Sequence, residues 1–287
     1  MAFASPQETA LAVAQANETR ASNSIPKLIV LGLLGGAFTG MGAEAATMIS
    51  HDFTFLGAGL QQFAKGSLFS IGVIFAVICG GELFTGDALL WLAFMDERVG
   101  WKKMLKVLGV VLLANVVGAT AYAWLYYQSG LFLFNNAELG AEAVRTAVTK
   151  VNLTWWQVFV RGVLCNWLIC LGVWMAFASK EVISKIASLY IGVMVFVMSA
   201  FENSVANFYY LPAGWFAKHI PAVVEAANLG AKLDTLTWAN IITRNWIPSA
   251  LGNFVGGALF VATAYWFVYV RQAPATPDQS MAASAAD

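Results

Sequence analysis

The chain is short of charge and of the side chains most enzymes work with. Of its 287 residues 11% are charged and two are histidine, while 59% are hydrophobic; mean hydropathy is +0.68. A soluble domain is roughly 45–50% apolar and about 25% charged, so this composition excludes one and implies a polytopic membrane protein. The 16 basic and 16 acidic residues balance, and the basic ones are scattered through loops, so no basic stripe exists for nucleic acid. Cys79, Cys165 and Cys170 lie in apolar runs without a histidine or second cysteine at ligand spacing. They read as small core hydrophobes, not as a disulfide frame or a metal site. No nucleophile motif and no glycine-rich phosphate loop occurs, so an enzyme is not expected, nor a cofactor.

The N-terminus lacks the basic-then-apolar pattern of a cleaved signal peptide, so the first span is expected to persist in the mature chain. Residues 1–26 open with Ser5-Pro6-Gln7-Glu8, a capping-box pattern, and predict a short surface helix. Residues 27–271 hold six apolar spans, and 272–287 are expected to be a disordered tail. Span one, from about Leu28 to Ile49, is crowded with glycine, which lets neighbouring helices approach closely. A polar segment from Gln128 to Leu153 separates spans three and four, and another outer segment covers 217–237. Lys and Arg number nine in the segments placed inside and five in those placed outside, which puts both termini on the cytoplasmic side.

Two spans are interrupted. The run from Gly66 to Cys79 stops at Gly80-Gly81-Glu82-Leu83-Phe84-Thr85-Gly86-Asp87 and resumes to Met95; span five is broken at Ala200-Phe201-Glu202-Asn203-Ser204-Val205-Ala206-Asn207-Phe208. Such polar groups are tolerated at bilayer depth where the backbone is buried in protein or lines a cavity. The halves are too short to cross alone, so each pair reads as one broken helix. Ala114-Asn115-Val116-Val117-Gly118 in span three repeats as Gly252-Asn253-Phe254-Val255-Gly256 in span six. Two three-span halves must run in opposite directions, and breaks at corresponding positions point to a site near the midplane of a transport protein. For Asn115 and Asn253 themselves the bland reading, a packing motif with the amide bonded to a neighbouring carbonyl, stands beside the functional one.

Gly81 to Gly86, Phe201 to Asn207 and Asn245-Trp246-Ile247-Pro248-Ser249-Ala250-Leu251-Gly252-Asn253 together resemble the signatures of the formate/nitrite transporter family. The resemblance covers about Lys27 to Tyr269. It implies an all-α, aquaporin-like protomer of six spans with helices 2 and 5 broken, a homopentamer with one pore per protomer in the cell inner membrane, and passage of a small monocarboxylate or inorganic anion. By motif, Leu83, Phe84 and Thr85 resemble the loop that breaks span two, Phe69 and Phe196 the aromatic constriction, and Asn166 a pore-facing polar position. Lys27 and Lys150 resemble the basic residues that draw anions into the vestibules. Asn203 stands where most members carry histidine.

An anion entering an apolar constriction loses hydration worth several kcal/mol. Asn203 offers two N–H donors and an acceptor, and Thr85 a hydroxyl. Glu82 and Glu202 would repel an anion if they faced it, so both are expected to turn away and support the breaks through loop N–H groups or half-helix N-termini. Arg161 and Arg244 are read as buried partners for Glu44 or Asp87. The leading function is a channel for formate or nitrite, moving as the anion or as the neutral acid. The alternative is a channel for water, ammonia or small alcohols, since the amide site has no ionisable group.

Overall fold

The computed structural model describes residues 3–271 apart from 54 and 56; the expected disordered tail at 272–287 lies outside the described residues. The fold is all-α. Helix α1 (Pro6–Ala21) leads to α2 (Ile25–Ser50), α3 (Ala58–Phe75), α4 (Phe84–Asp87), α5 (Leu90–Met95) and α6 (Trp101–Gln128). Then come α7 (Glu138–Val151), α8 (Trp155–Ala178), α9 (Val182–Met198), α10 (Ser204–Ala217) and α11 (Pro221–Ala227). The last helix, α12, runs over Trp238–Val270 and contains π-helical turns at Ile241–Trp246, Ala258–Thr263 and Trp266–Val270.

Among the described residues five helices are long and apolar enough to cross a membrane: α2, α3 with its continuation to Gly80, α6, α8 and α12. Phe84–Met95 and Val182–Met198 are shorter apolar helices. A large share of their outward side chains is apolar and exposed, among them Leu113, Val117, Leu251 and Phe267, which in water would be a severe liability and in lipid is the expected surface. The bundle closes on small residues. Gly118 of α6 lies against the Leu33 carbonyl of α2, and Gly256 of α12 against the Val163 carbonyl of α8, each too close for a Cβ. Helix backbones in direct contact recover by dispersion what lipid cannot supply by hydrophobic drive.

Helix α1 begins with both halves of the capping box. Ser5 Oγ accepts from Glu8 N at 3.3 Å, and Glu8 Oε2 accepts from Ser5 N at 2.7 Å. The helix is more than a surface element, because Ala10, Val13, Ala14 and Ala21 are fully buried against the bundle. Helix α1 ends just before α2 begins, whereas α7 lines a cavity together with Ala46 and Thr47 near the far end of α2; 26 residues put the two ends about 39 Å apart. Residues 138–151, read from sequence as part of a polar segment, form a helix whose Leu139, Val144, Val148 and Val151 are buried. The second apolar run starts at Ala58, well before Gly66, and includes Gln61, Gln62 and Lys65. Cys165 and Cys170 are buried as expected of small core residues, but Cys79, in the π turn that ends α3, is exposed.

Candidate functional site

The two interruptions have the same backbone course. Before each, a residue turns left-handed, Gly80 with φ +89° and Ala200 with φ +54°. The next N–H reaches back five residues, Gly81 to Ala76 O at 2.8 Å and Phe201 to Phe196 O at 3.1 Å. The glutamate N–H then leaves its own helix: Glu82 donates to Leu31 O of α2 and Glu202 to Arg161 O of α8. Extended residues Leu83 and Asn203 follow, and α4 and α10 begin. Glycine adopts the left-handed turn freely, whereas alanine there is strained by about 1–2 kcal/mol, so the surrounding bonds must hold Ala200 in place.

Those bonds come from Asn115 and Asn253. Asn115 Nδ2 donates to Gly32 O and Glu82 O at 2.7 and 2.8 Å, and its Oδ1 accepts from Phe84 N at 2.9 Å. Asn253 Nδ2 donates to Gly162 O and Glu202 O at 2.8 and 2.9 Å, and its Oδ1 accepts from Ser204 N at 2.8 Å. The carbonyl bonding of the packing reading is present, and the same amide also ties down the loop and caps the half-helix. Asn166 joins the two halves, its Nδ2 donating to Thr85 O at 2.9 Å and Asn253 O at 2.6 Å.

The glutamates are met by side chains from the flanking helices, not by loop N–H groups. Glu202 accepts from Lys150 Nζ of α7 at 2.8 Å, from Asn207 Nδ2 at 2.7 Å and from Asn245 Nδ2 at 3.1 Å. At the other end Arg20 of α1 lies 2.6 Å from Glu82 and 3.2 Å from Asp87. Burial opposes the charge of Arg20, but Asp87 and Glu82 outweigh it and hold the guanidinium above the ordinary arginine range. Asp87 therefore takes its cation from α1 and not from Arg161 or Arg244. That pairing depends on the tail folding back onto the bundle, which no local pattern encodes.

Two cavities flank the junction of α4 and α10. The one at the α7 end has a volume of about 280 Å³ and is lined by Asn203, Phe69, Phe196, Lys150, Glu202, Arg161 and Tyr210, among others. The one at the α1 end is about 50 Å³, lined by Thr85, Leu83, Glu82, Asp87 and Arg20, among others. The structure thus brings Asn203, Phe69, Phe196 and Lys150 together and puts Thr85 and Leu83 elsewhere. Phe84 is buried, and Lys27 is exposed in the first turn of α2; neither lines a cavity described here. Phe69 and Phe196 meet edge to face with centroids 5.7 Å apart. Val73, one turn beyond Phe69 on α3, lines the other cavity, so along that helix the residues that border the two cavities are only about 6 Å of rise apart.

Asn203 is 3% exposed. Its Oδ1 accepts from Ala206 N at 3.1 Å as the cap of α10. The cap fixes the amide orientation, since a flipped amide would set NH₂ against N–H. Among the described residues Nδ2 has no protein partner, so its donors are the group offered to the cavity. The sequence reading missed Arg20, Asn207 and Asn245 as partners of the acids; the run Asn203-x-x-x-Asn207 carried a helical i, i+4 signal that could have placed Asn207 beside the break.

A family profile described as "Formate/nitrite transporter" matches residues 7–267. The chain is 34% identical to "Probable formate transporter" of Methanothermobacter thermautotrophicus, covering 94% of this chain and 98% of that protein. It is 33% identical to "Formate channel FocA" of Escherichia coli (strain K12), over 75% of this chain and 76% of that one. Among solved structures, "Pentameric formate channel with formate bound" superposes with a TM-score of 0.80 at 30% identity, covering 86% of this chain and 98% of that chain. "FNT family ion channel" superposes with a TM-score of 0.78 at 26% identity, covering 91% and 98%.

Proposed function

The chain belongs to the formate/nitrite transporter family, and on that premise we propose that it is a channel for formate first and nitrite second. It is a multi-pass membrane transporter of that family and not an enzyme. In this reading the shorter apolar stretches 84–95 and 182–198 combine with their neighbours into six spans in two inverted halves. The second and fifth helices are broken at Gly81–Leu83 and at 199–203. The assembly is a homopentamer in the cell inner membrane with both termini cytoplasmic, in line with the pentameric formate channel it superposes on and with the excess of Lys and Arg in the segments that would face the cytoplasm.

The observation that carries the proposal is the orientation of Asn203. Its carbonyl is committed to capping α10, so the cavity that holds Lys150 and Arg161 receives N–H donors and no acceptor from this residue. Donors beside cations favour an anion over a cation. Asn203 then takes the position where most relatives of this kind carry histidine, and it cannot lend a proton. If formate crosses the apolar wall as the neutral acid, the proton comes from vestibule water.

Uptake of labelled formate into proteoliposomes tests the reading. Entry well above that in empty vesicles, and faster at lower external pH, is expected. Formate entry equal to empty vesicles together with raised water or ammonia flux would establish the neutral-solute channel instead.

A further inference from the structure

Four cations line the cavity at the α7 end: Lys65, Arg145, Lys150 and Arg161. Three are held by carboxylates. Lys65 pairs with Glu142 at 2.7 Å, Lys150 with Glu202 at 2.8 Å and Arg145 with Glu138 at 2.9 Å. Arg145 also donates to the carbonyls of Ala226 and Ala227. Arg161 differs. Its side chain makes no hydrogen bond, ion pair or ring contact with any described residue, although its carbonyl is anchored by Glu202 N at 3.3 Å. It is half-buried and adjoins Gly162, whose carbonyl takes an Asn253 bond.

We infer that Arg161 is the anion-binding residue of this cavity, holding a planar two-oxygen anion through its guanidinium fork before the anion passes to Asn203. The inference rests on the anion-channel reading and deepens it. Lys150, the residue the family resemblance marks for attraction, already has its charge met by Glu202, and its Nζ lies over the Tyr210 ring at 5.6 Å. A guanidinium stays charged at any physiological pH, and its five N–H groups match two oxygens in one plane. Formate and nitrite can take both arms of the fork; chloride or hydrosulfide can take only the charge. Arg161 therefore sets a preference among monovalent anions as well as the affinity of the first encounter.

The test is concentration-dependent flux of formate and of hydrosulfide through the full-length protein in proteoliposomes, for wild type, Arg161→Gln and Arg161→Lys. Arg161→Gln is expected to raise the half-saturating formate concentration about tenfold, with maximal flux within about twofold of wild type. Arg161→Gln should also raise the half-saturating hydrosulfide concentration, and Arg161→Lys, which keeps the charge, should return that value toward wild type while leaving formate half-saturation raised. An unchanged formate half-saturation in Arg161→Gln, or wild-type behaviour of Arg161→Lys toward formate, would overturn the inference. If both variants misassemble, phenylglyoxal labelling of Arg161 in wild-type protein decides. Formate and nitrite should slow it where chloride at equal ionic strength does not, and equal labelling rates would overturn the assignment. Wild-type protein that moves no formate but shows this protection would defeat the channel reading and leave the binding site standing.

Discussion

Asn115 and Asn253 make the same three hydrogen bonds at the two helix interruptions. Each donates to the carbonyl of the local glutamate and of a neighbouring glycine, and accepts from the first N–H of the following half-helix. Substituting leucine at either position strands the buried loop carbonyl of the glutamate and the first N–H of the half-helix, each worth about 1–3 kcal/mol, while the glycine carbonyl keeps its own intrahelical bond. Asn115→Leu and Asn253→Leu are each expected to lower the thermal midpoint of the purified protein and to abolish flux. Scanning fluorimetry in detergent checks the first and proteoliposome uptake the second. A variant with a wild-type midpoint would show the clasp to be dispensable.

At Asn203, three substitutions separate the role of the donor from that of the cap. Asn203→Asp keeps the cap on α10 but offers the cavity a carboxylate, so formate flux should vanish while the protein stays folded. Asn203→Leu should lose flux and some stability together. Asn203→His should retain flux. Robust formate uptake by Asn203→Asp would contradict the donor role.

Arg20 fastens α1 to the acids Glu82 and Asp87. Removing one member of a buried charge cluster leaves uncompensated charge and costs about 3–5 kcal/mol. Arg20→Ala is therefore expected to release α1, seen as faster amide hydrogen exchange through Val13–Ala21 and new protease cleavage there. The triple change Arg20→Ala, Glu82→Gln, Asp87→Asn should restore most of the protection. If Arg20→Ala leaves exchange untouched, α1 is held by its apolar face alone.

Glu8 predicts an acid limb at the start of α1. The bonds from Ser5 N and Oγ hold its carboxyl below the ordinary glutamate range. A depressed folded-state value means the stabilisation is complete above the unfolded value of about 4.3 and fades as pH falls through the folded one. Amide protection in the first turn of α1 should therefore drop below about pH 4.3. In Glu8→Gln, whose amide can still complete the box, protection should be flat with pH. An acid limb of the same size in Glu8→Gln would assign the titration to another group.

Polar residues inside apolar runs made the interruptions at 80–87 and 199–208 legible before any coordinates, because a charge or amide at bilayer depth needs a reason. The Asn repeat and the Ser5 capping box were legible for the same kind of local cause. Helix α7 was hidden by its polar face. Its Leu139, Val144, Val148 and Val151 recur at helical spacing, but alanines fill the positions between them and dilute the stripe. The pairing of Arg20 with Glu82 and Asp87 joins residues more than 60 apart through a docked tail, and the separation of Thr85 from Asn203 depends on one helical turn of α3. Neither leaves a periodic trace in the chain.

The wall carried by Phe69 and Val73 has a consequence for what rate measurements report. On the channel reading, a solute moving from one cavity to the other must cross the apolar layer that these side chains form, about one helical turn along α3, so partitioning into that thin layer would govern conductance, as for a permeant crossing a very short membrane. Across a series of small acids, throughput should therefore follow each compound's solubility in an apolar phase at equal occupancy of the larger cavity, and binding strength at the entrance should cease to predict speed once that cavity is full.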